Sequence, residues 1–366
     1  MTPLRFAIAV GFAFLAFAAP LLAGEEGDEH LVMGNPSGAT ADKGRPDDYL
    51  VKKRQYALSY NSSKGTPNWV SWNLSKKWLG KSRRGNAFAP DTTLPEGLLS
   101  VRPNDYHASG FDRGHMCPSA DRSATKEDQD ATFLMTNMAP QAPNLNRVTW
   151  EKLEEYCRGQ AGQGKELFIV AGSAGRGGFG EDGYRTFLRG HKGKILVPGK
   201  CWKVVLVLPE GVTDPTKVTA AEARMFAVIM PNVQGLDTAW RAYSVSVGDV
   251  EELTGYTFFS GLPADVAKEL KANSKETRAK SEKTAPKEPG EGTTKKIDKG
   301  KPDKEKGSEL SAFREGCVIG NRKSKKYHLP GDRYYNKEKD SKNAAFFATA
   351  EDAKGAGYTL SGVKKD

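Results

Sequence analysis

Hydrophobic and polar positions change their rhythm several times along the 366-residue chain. Residues 1–23 open on one arginine, run apolar and end on small residues, which is the layout of a secretory signal. Residues 24–55 are polar and carry the turn signals "GNPSG" and "GRPDD", so they read as an arm leading into a domain. The stretch 56–270 has globular composition with mixed strand and helix signals. "WVSWNL" alternates, with Trp69, Ser71 and Asn73 set against Val70, Trp72 and Leu74, as a sheet strand does. "LFIVAG", "KILVPG", "CWKVVLVL" and "MFAVIM" are short apolar runs bounded by Gly or Pro, consistent with buried strands. "NRVTWEKLEEYCRG" spaces Val148, Trp150, Leu153, Tyr156 and Cys157 as one face of a helix, and Gly159 is its expected stop. The pattern predicts an α+β domain around a central, mostly antiparallel sheet. Residues 271–310 lack aromatics and are dominated by Lys, Glu, Thr, Gly and Pro, so they predict a flexible, lysine-rich linker. Residues 311–366 regain aromatics and predict a small second module.

Composition adds less. Lys+Arg 55 against Asp+Glu 45 leaves a net charge of +10, which suits a polyanionic partner and equally suits solubility. After the signal, no apolar stretch approaches the ~18 residues of a spanning helix, so no membrane role is expected of the mature chain. Its expected location is secreted or periplasmic. The four cysteines, Cys117, Cys157, Cys201 and Cys317, show no C-x-x-C spacing, which argues against a zinc site built from them. An oxidising compartment permits a disulfide, for which Cys157–Cys201 is the preferred pair, and free buried thiols are the alternative.

The densest chemistry lies in "FDRGHMCPSADR", residues 111–122. Neutral histidine accepts a proton from water near neutral pH, and arginine offers a planar fork matched to phosphate. Residues two apart on an extended segment share a face, so Arg113 and His115 can address one substrate, with Gly114 permitting close approach of a nucleic-acid backbone. By itself R-G-H is also an ordinary surface turn. Downstream, Asn137, Asn144, Asn146 and Glu154 are oxygen donors suited to Mg²⁺. Asn146 is equally placed to cap a helix, and Glu154 to face solvent. The separation of Asn146 and Glu154 is 154 − 146 = 8 residues, ~12 Å along an ideal helix, too far for both to grip one small ion. Asn146 is therefore the expected direct ligand and Glu154 a partner of the ion's waters.

"DRGH", "TNMAPQ" and "NRVTWEKLE", in this order, resemble the DNA/RNA non-specific endonucleases of the ββα-metal (His-Me finger) class. The resemblance runs from "YALSYNSSKGTPNWVSWNL" to "FFSGLP", roughly 210 of the 366 residues. It implies that class's fold and an endonuclease dependent on Mg²⁺, with Mn²⁺ as the alternative ion. Such an enzyme cuts DNA and RNA without regard to sugar and leaves 5′-phosphates. It implies His115 as general base, Asn146 as metal ligand and Glu154 beside the metal's waters. Arg113 matches the signature arginine, and Asn137 an active-site asparagine. An upstream arginine in "SRRGNAFAPD" matches a phosphate clamp, either Arg83 or Arg84, with Arg83 favoured. "GHMCP" departs from the "GHQAP" common in the family, which leaves the role of Cys117 open. The competing readings are a secreted, non-catalytic nucleic-acid-binding protein and a nuclease toxin or effector. The tail, "GNRKSKKYHLPGDRYYN", resembles the small metal-binding module of DNA-methylation repair proteins. Asp332 stands where that module has cysteine, and Cys317 and His328 are the soft ligands that remain. A degenerate module without zinc is expected.

Overall fold

A computed structural model describes residues 27–190, 193–275, 318–329, 334–339, 341, 343–347, 350–355 and 357–361. The expected signal, nearly all of the lysine-rich linker, Cys317 and Asp332 lie outside the described residues. No helix among the described residues is long and apolar enough to cross a membrane.

Seven strands form the central sheet: β1 (Tyr49–Lys53), β2 (Tyr56–Asn61), β3 (Thr66–Leu74), β6 (Glu166–Ala174), β9 (Lys200–Leu208), β10 (Arg224–Pro231) and β11 (Ser244–Val245). They lie in the order β1-β2-β3-β6-β9-β10-β11, and every neighbouring pair is antiparallel. Both faces of this sheet are covered, which explains why its strands read as near-continuous apolar runs. On one face Val70, Trp72, Leu74, Ile169, Val205 and Phe226 join the core that packs beneath the helix predicted at 146–159. On the other face Trp69, Phe168, Trp202, Val204 and Leu206 pack with Val247, Val250 and Leu270. Those last three belong to α3 (Val247–Thr254) and α4 (Ala264–Ala272).

The polar alternation of "WVSWNL" has a different cause from solvent exposure, since β3 is buried throughout. The segment expected to be an arm folds over it. The Ser71 hydroxyl donates to the His30 carbonyl at 2.7 Å, and Trp69 Nε1 donates to Ser37 Oγ at 2.9 Å. The same segment supplies β1. The domain thus begins well before Tyr56. "KILVPG" contributes only an isolated bridge between Leu196 and Phe187, not a strand.

His30 fixes this cover through both ring nitrogens. Nε2 bonds the Arg54 carbonyl at 2.8 Å, and Nδ1 accepts from the Asn73 amide at 3.2 Å. Protonating Nδ1 breaks the second bond and buries a charge, so burial and nearby Arg122 lower the His30 pKa to about 3. A histidine lowered in the fold contributes stability above its unfolded pKa near 6.5 and loses it as pH falls toward 3. The expected slope is ~1.4 kcal/mol per pH unit in that window. Denaturant midpoints measured from pH 7 to 4 should fall more steeply for wild type than for His30→Gln.

The expected disulfide is absent: Cys117, Cys157 and Cys201 are free and buried. Burial pushes each thiol up to about 12, so none is a reactive thiolate at neutral pH. The C-terminal module is a four-stranded sheet ordered β14-β12-β13-β15. Its strands are β12 (Val318–Asn321), β13 (Lys326–His328), β14 (Ala344–Phe347) and β15 (Thr359–Leu360). His328 is buried there, its ring 6.2 Å from Tyr334.

Candidate active site

"DRGH" forms β4 (Asp112–His115), which pairs antiparallel with β5 (Met138–Gln141) and places His115 opposite Met138. The chain then makes a π-helical turn, Leu145–Trp150, that runs directly into α2 (Glu151–Gly162). Gly159 does not stop this helix. Leu153, Cys157 and Ala161 turn one stripe of α2 into the core, while Glu154 and Arg158, four apart, line a cleft of about 240 Å³. Arg84, Arg113, His115 and Asn146 line the same cleft.

Gly114 has its reason on the inner side. A Cβ built there meets Gln141 Oε1 at 2.0 Å, so the side chain of the opposing strand occupies the space a larger residue needs. The close approach is that of Gln141, not of a substrate backbone. Gly114→Ala should cost ~1–3 kcal/mol through overpacking, read as a lowered unfolding midpoint, and should displace the two side chains flanking it.

His115 is 8% exposed, with its ring edge-to-face with Phe133 at 4.9 Å and tilted against Phe88 at 5.6 Å. Nε2 is enclosed without a hydrogen-bond partner, which leaves Nδ1 to meet the cleft. Burial, then Arg84, then Arg113 lower its pKa to about 3, so the imidazole is held in its neutral form near pH 7. Arg113 stacks its guanidinium 4.1 Å over Phe88, which pins one ring against both functional side chains.

Asn146 sits inside the π turn and makes no capping bond. Its Nδ2 donates to Asp112 Oδ2 at 2.8 Å, and Asp112 is itself gripped by Arg147 through bonds of 2.9 and 2.7 Å. With the amide nitrogen committed, Oδ1 is the atom Asn146 has left to offer a cation. Among the described residues no three His, Cys, Asp or Glu side chains gather as a metal cage. The donor set therefore fits a hard ion held by one amide oxygen and water, with the Glu154 carboxylate alongside.

Burial pushes Glu154 up to about 7, against the opposing pull of Lys203 and Arg158. Lys203 comes from the middle of β9, flanked on its own face by Cys201 and Val205. Its Nζ lies 3.8 Å from Glu154 Oε1 and 4.3 Å over the Trp150 ring. Arg158 bonds Asp121 at 3.1 Å, and Asp121 accepts from Trp72 Nε1 at 3.0 Å. Glu154 is thus backed by a buried network rather than by solvent.

Two expected site residues are placed differently. Asn137 is fully buried and does not line the cleft. It accepts from the Cys117 amide and donates to the Cys117 and Thr132 carbonyls, all at 2.9 Å, so it clamps the chain just past His115. Of the two upstream arginines, Arg84 lines the cleft and Arg83 does not.

The signature of the DNA/RNA non-specific endonucleases matches residues 34–265. The chain belongs to that family. A nuclease of Nostoc sp. is 52% identical over 237 residues, 65% of this chain and 82% of that protein. The mitochondrial nuclease EXOG of Xenopus laevis is 32% identical over 223 residues, 59% of this chain and 60% of that protein. The crystal structure of the EndoG/EndoGI complex aligns with a TM-score of 0.52 at 22% identity, covering 66% of this chain and 94% of that one. That likeness concerns the fold, a ββα-metal nuclease architecture with a central antiparallel sheet. Family membership makes the chain a non-specific nuclease acting on nucleic acid. Asp112, which holds Asn146, and Arg158 and Lys203, which flank Glu154, are the residues around this cleft that motif reading passed over.

Proposed function

We propose that this endonuclease hydrolyses DNA and RNA with His115 as general base and a divalent ion, Mg²⁺ above Mn²⁺, held by Asn146, leaving 5′-phosphate ends. The observation that carries the reading is a neutral, enclosed imidazole sharing one cleft with an amide oriented by Asp112. His115 takes the proton of the attacking water. Arg113 and Arg84 bind phosphate oxygens and hold the scissile group in line. Arg113 and Phe88 fix the imidazole, while Glu154, set by Lys203 and Arg158, orders water beside Asn146. The ion, when bound, supplies Lewis-acid polarisation of the phosphate and charge neutralisation at the departing oxygen. These groups address phosphate rather than base edges, so weak sequence preference follows. The N-terminal pattern of residues 1–23 supports a secreted or periplasmic location.

Incubating the protein with plasmid, linear DNA and RNA, with EDTA and with restored Mg²⁺, tests the reading. Cleavage of all three that stops in EDTA and resumes with Mg²⁺, with 5′-phosphates at the new ends, is expected. Binding without cleavage under every condition would leave a nucleic-acid-binding protein instead.

A further inference from the structure

Beside the catalytic cleft lies a second cavity, of about 480 Å³, and Arg113 lines both. Its walls come from the segment before β4: Asn104, Tyr106, His107, Ala108 and Phe111. Resting on the phosphodiesterase reading above, we propose that this cavity is a nucleobase subsite, taking the base of the residue that flanks the scissile phosphate.

Contiguity comes first. A phosphate on Arg113 in the cleft has its attached nucleoside within reach of whatever adjoins Arg113 on the other side. Chemistry comes second. Among the described residues the one acidic side chain at the cavity, Asp112, is already held by Arg147 and Asn146, and Arg113 is the one arginine there. What remains is an amide, an imidazole, two aromatic side chains and small apolar groups. That set receives a planar, uncharged ring carrying polar edges, not a second phosphate. The volume lies within the range of small-ligand sites. Tyr106 is 5% exposed with its hydroxyl enclosed in the fold, so it is a fixed part of the wall and not a polar group offered to the cavity.

The walls are also held in shape. The Glu181 amide donates to the Gly110 carbonyl at 2.8 Å, and Arg185 Nε donates to the Ser109 carbonyl at 3.1 Å. Those donors sit on or between the short strands β7 (Gly178–Gly180) and β8 (Gly183–Arg185), which brace the loop from behind. Ala108 adopts φ 46, a backbone conformation that L residues rarely take, so the loop between His107 and Gly110 is held in one unusual course. Asn104 and His107 are exposed residues of the cavity lining.

The test uses the full-length protein and short oligonucleotides carrying one abasic residue on the 5′ or the 3′ side of a defined phosphate. Single-turnover cleavage is compared at that phosphate with and without the base. Wild type should cut roughly tenfold more slowly where the base is missing on one side, the scale of one lost stacking contact. Asn104→Ala/His107→Ala should cut the intact strand at that reduced rate, and its abasic penalty should shrink below about twofold. The thermal midpoint should be unchanged, since both side chains are exposed. Wild type cutting intact and abasic strands equally, or a double variant keeping the full penalty, would overturn the subsite. Failure of the phosphodiesterase reading looks different: neither strand would be cut, or His115→Ala would cut both as fast as wild type.

Discussion

His115→Ala should lose at least ~10²-fold in turnover on DNA and on RNA alike, while Mg²⁺ binding measured calorimetrically stays near wild type. The imidazole meets the cleft through one nitrogen, and the other is sealed between Phe88 and Phe133. Among the described residues His115 is the one histidine lining the cleft, whose other titratable groups are arginines and the carboxylates of Glu151 and Glu154. The loss should not be recovered by more ion, because the ion's proposed ligand is untouched. The low pKa adds a pH signature. Since burial and two arginines hold it near 3, His115 in the free enzyme stays neutral well below pH 6.5. An acid limb of kcat/KM near pH 7 should therefore trace to Glu154, pushed up to about 7, and not to His115. A Mg²⁺ midpoint that shifts strongly in His115→Ala would reverse the assignment of base and ligand.

Asn146→Ala is the complementary case. It removes the one amide oxygen proposed for the ion and also the partner of Asp112 Oδ2. The apparent Mg²⁺ midpoint should rise at least tenfold, with part of the lost activity returning at high Mg²⁺. Asn146→Asp separates the two roles. It keeps an oxygen for the ion but sets a carboxylate against Asp112, so it should bind Mg²⁺ yet turn over poorly. Because Asn146 makes no capping bond, neither change should unwind α2, and circular dichroism should confirm a retained helix. An unchanged Mg²⁺ midpoint in Asn146→Ala would move the ion elsewhere.

The parts of this site that could be read from the chain are those where residue type and spacing coincide. "DRGH" reads as an extended segment with Arg113 and His115 on one face, and both do line the cleft. The apolar spacing of Leu153 and Cys157 marks the buried stripe of α2, which leaves Glu154 on a different face. What escaped reading depends on contacts distant in sequence. Asp112 matters through Asn146, 34 positions away, and no local pattern marks that pairing. Asn137 stands in a motif of functional residues yet spends every polar atom on the backbone around it. The choice of Arg84 over Arg83 is a matter of which way an irregular segment turns, where no periodicity operates. His30 covers β3 from a stretch whose polarity and turn signals suggested a detached arm. Lys203 did leave a trace. In "CWKVVLVL" it breaks an apolar run on the same face as Cys201 and Val205, and a cation there needs a buried partner.

The three free thiols turn the catalytic half of the molecule into its own opening meter. Cys117 follows the histidine strand, Cys157 lies on the helix carrying Glu154, and Cys201 lies two residues from Lys203 on the sheet below. Each is sealed and, with its pKa near 12, inert to alkylation while the structure is closed. Labelling can then proceed only through transient exposure, and its rate at each position reports how often that layer separates from the next. Strand, helix and sheet can be timed separately in one native sample, without adding a probe.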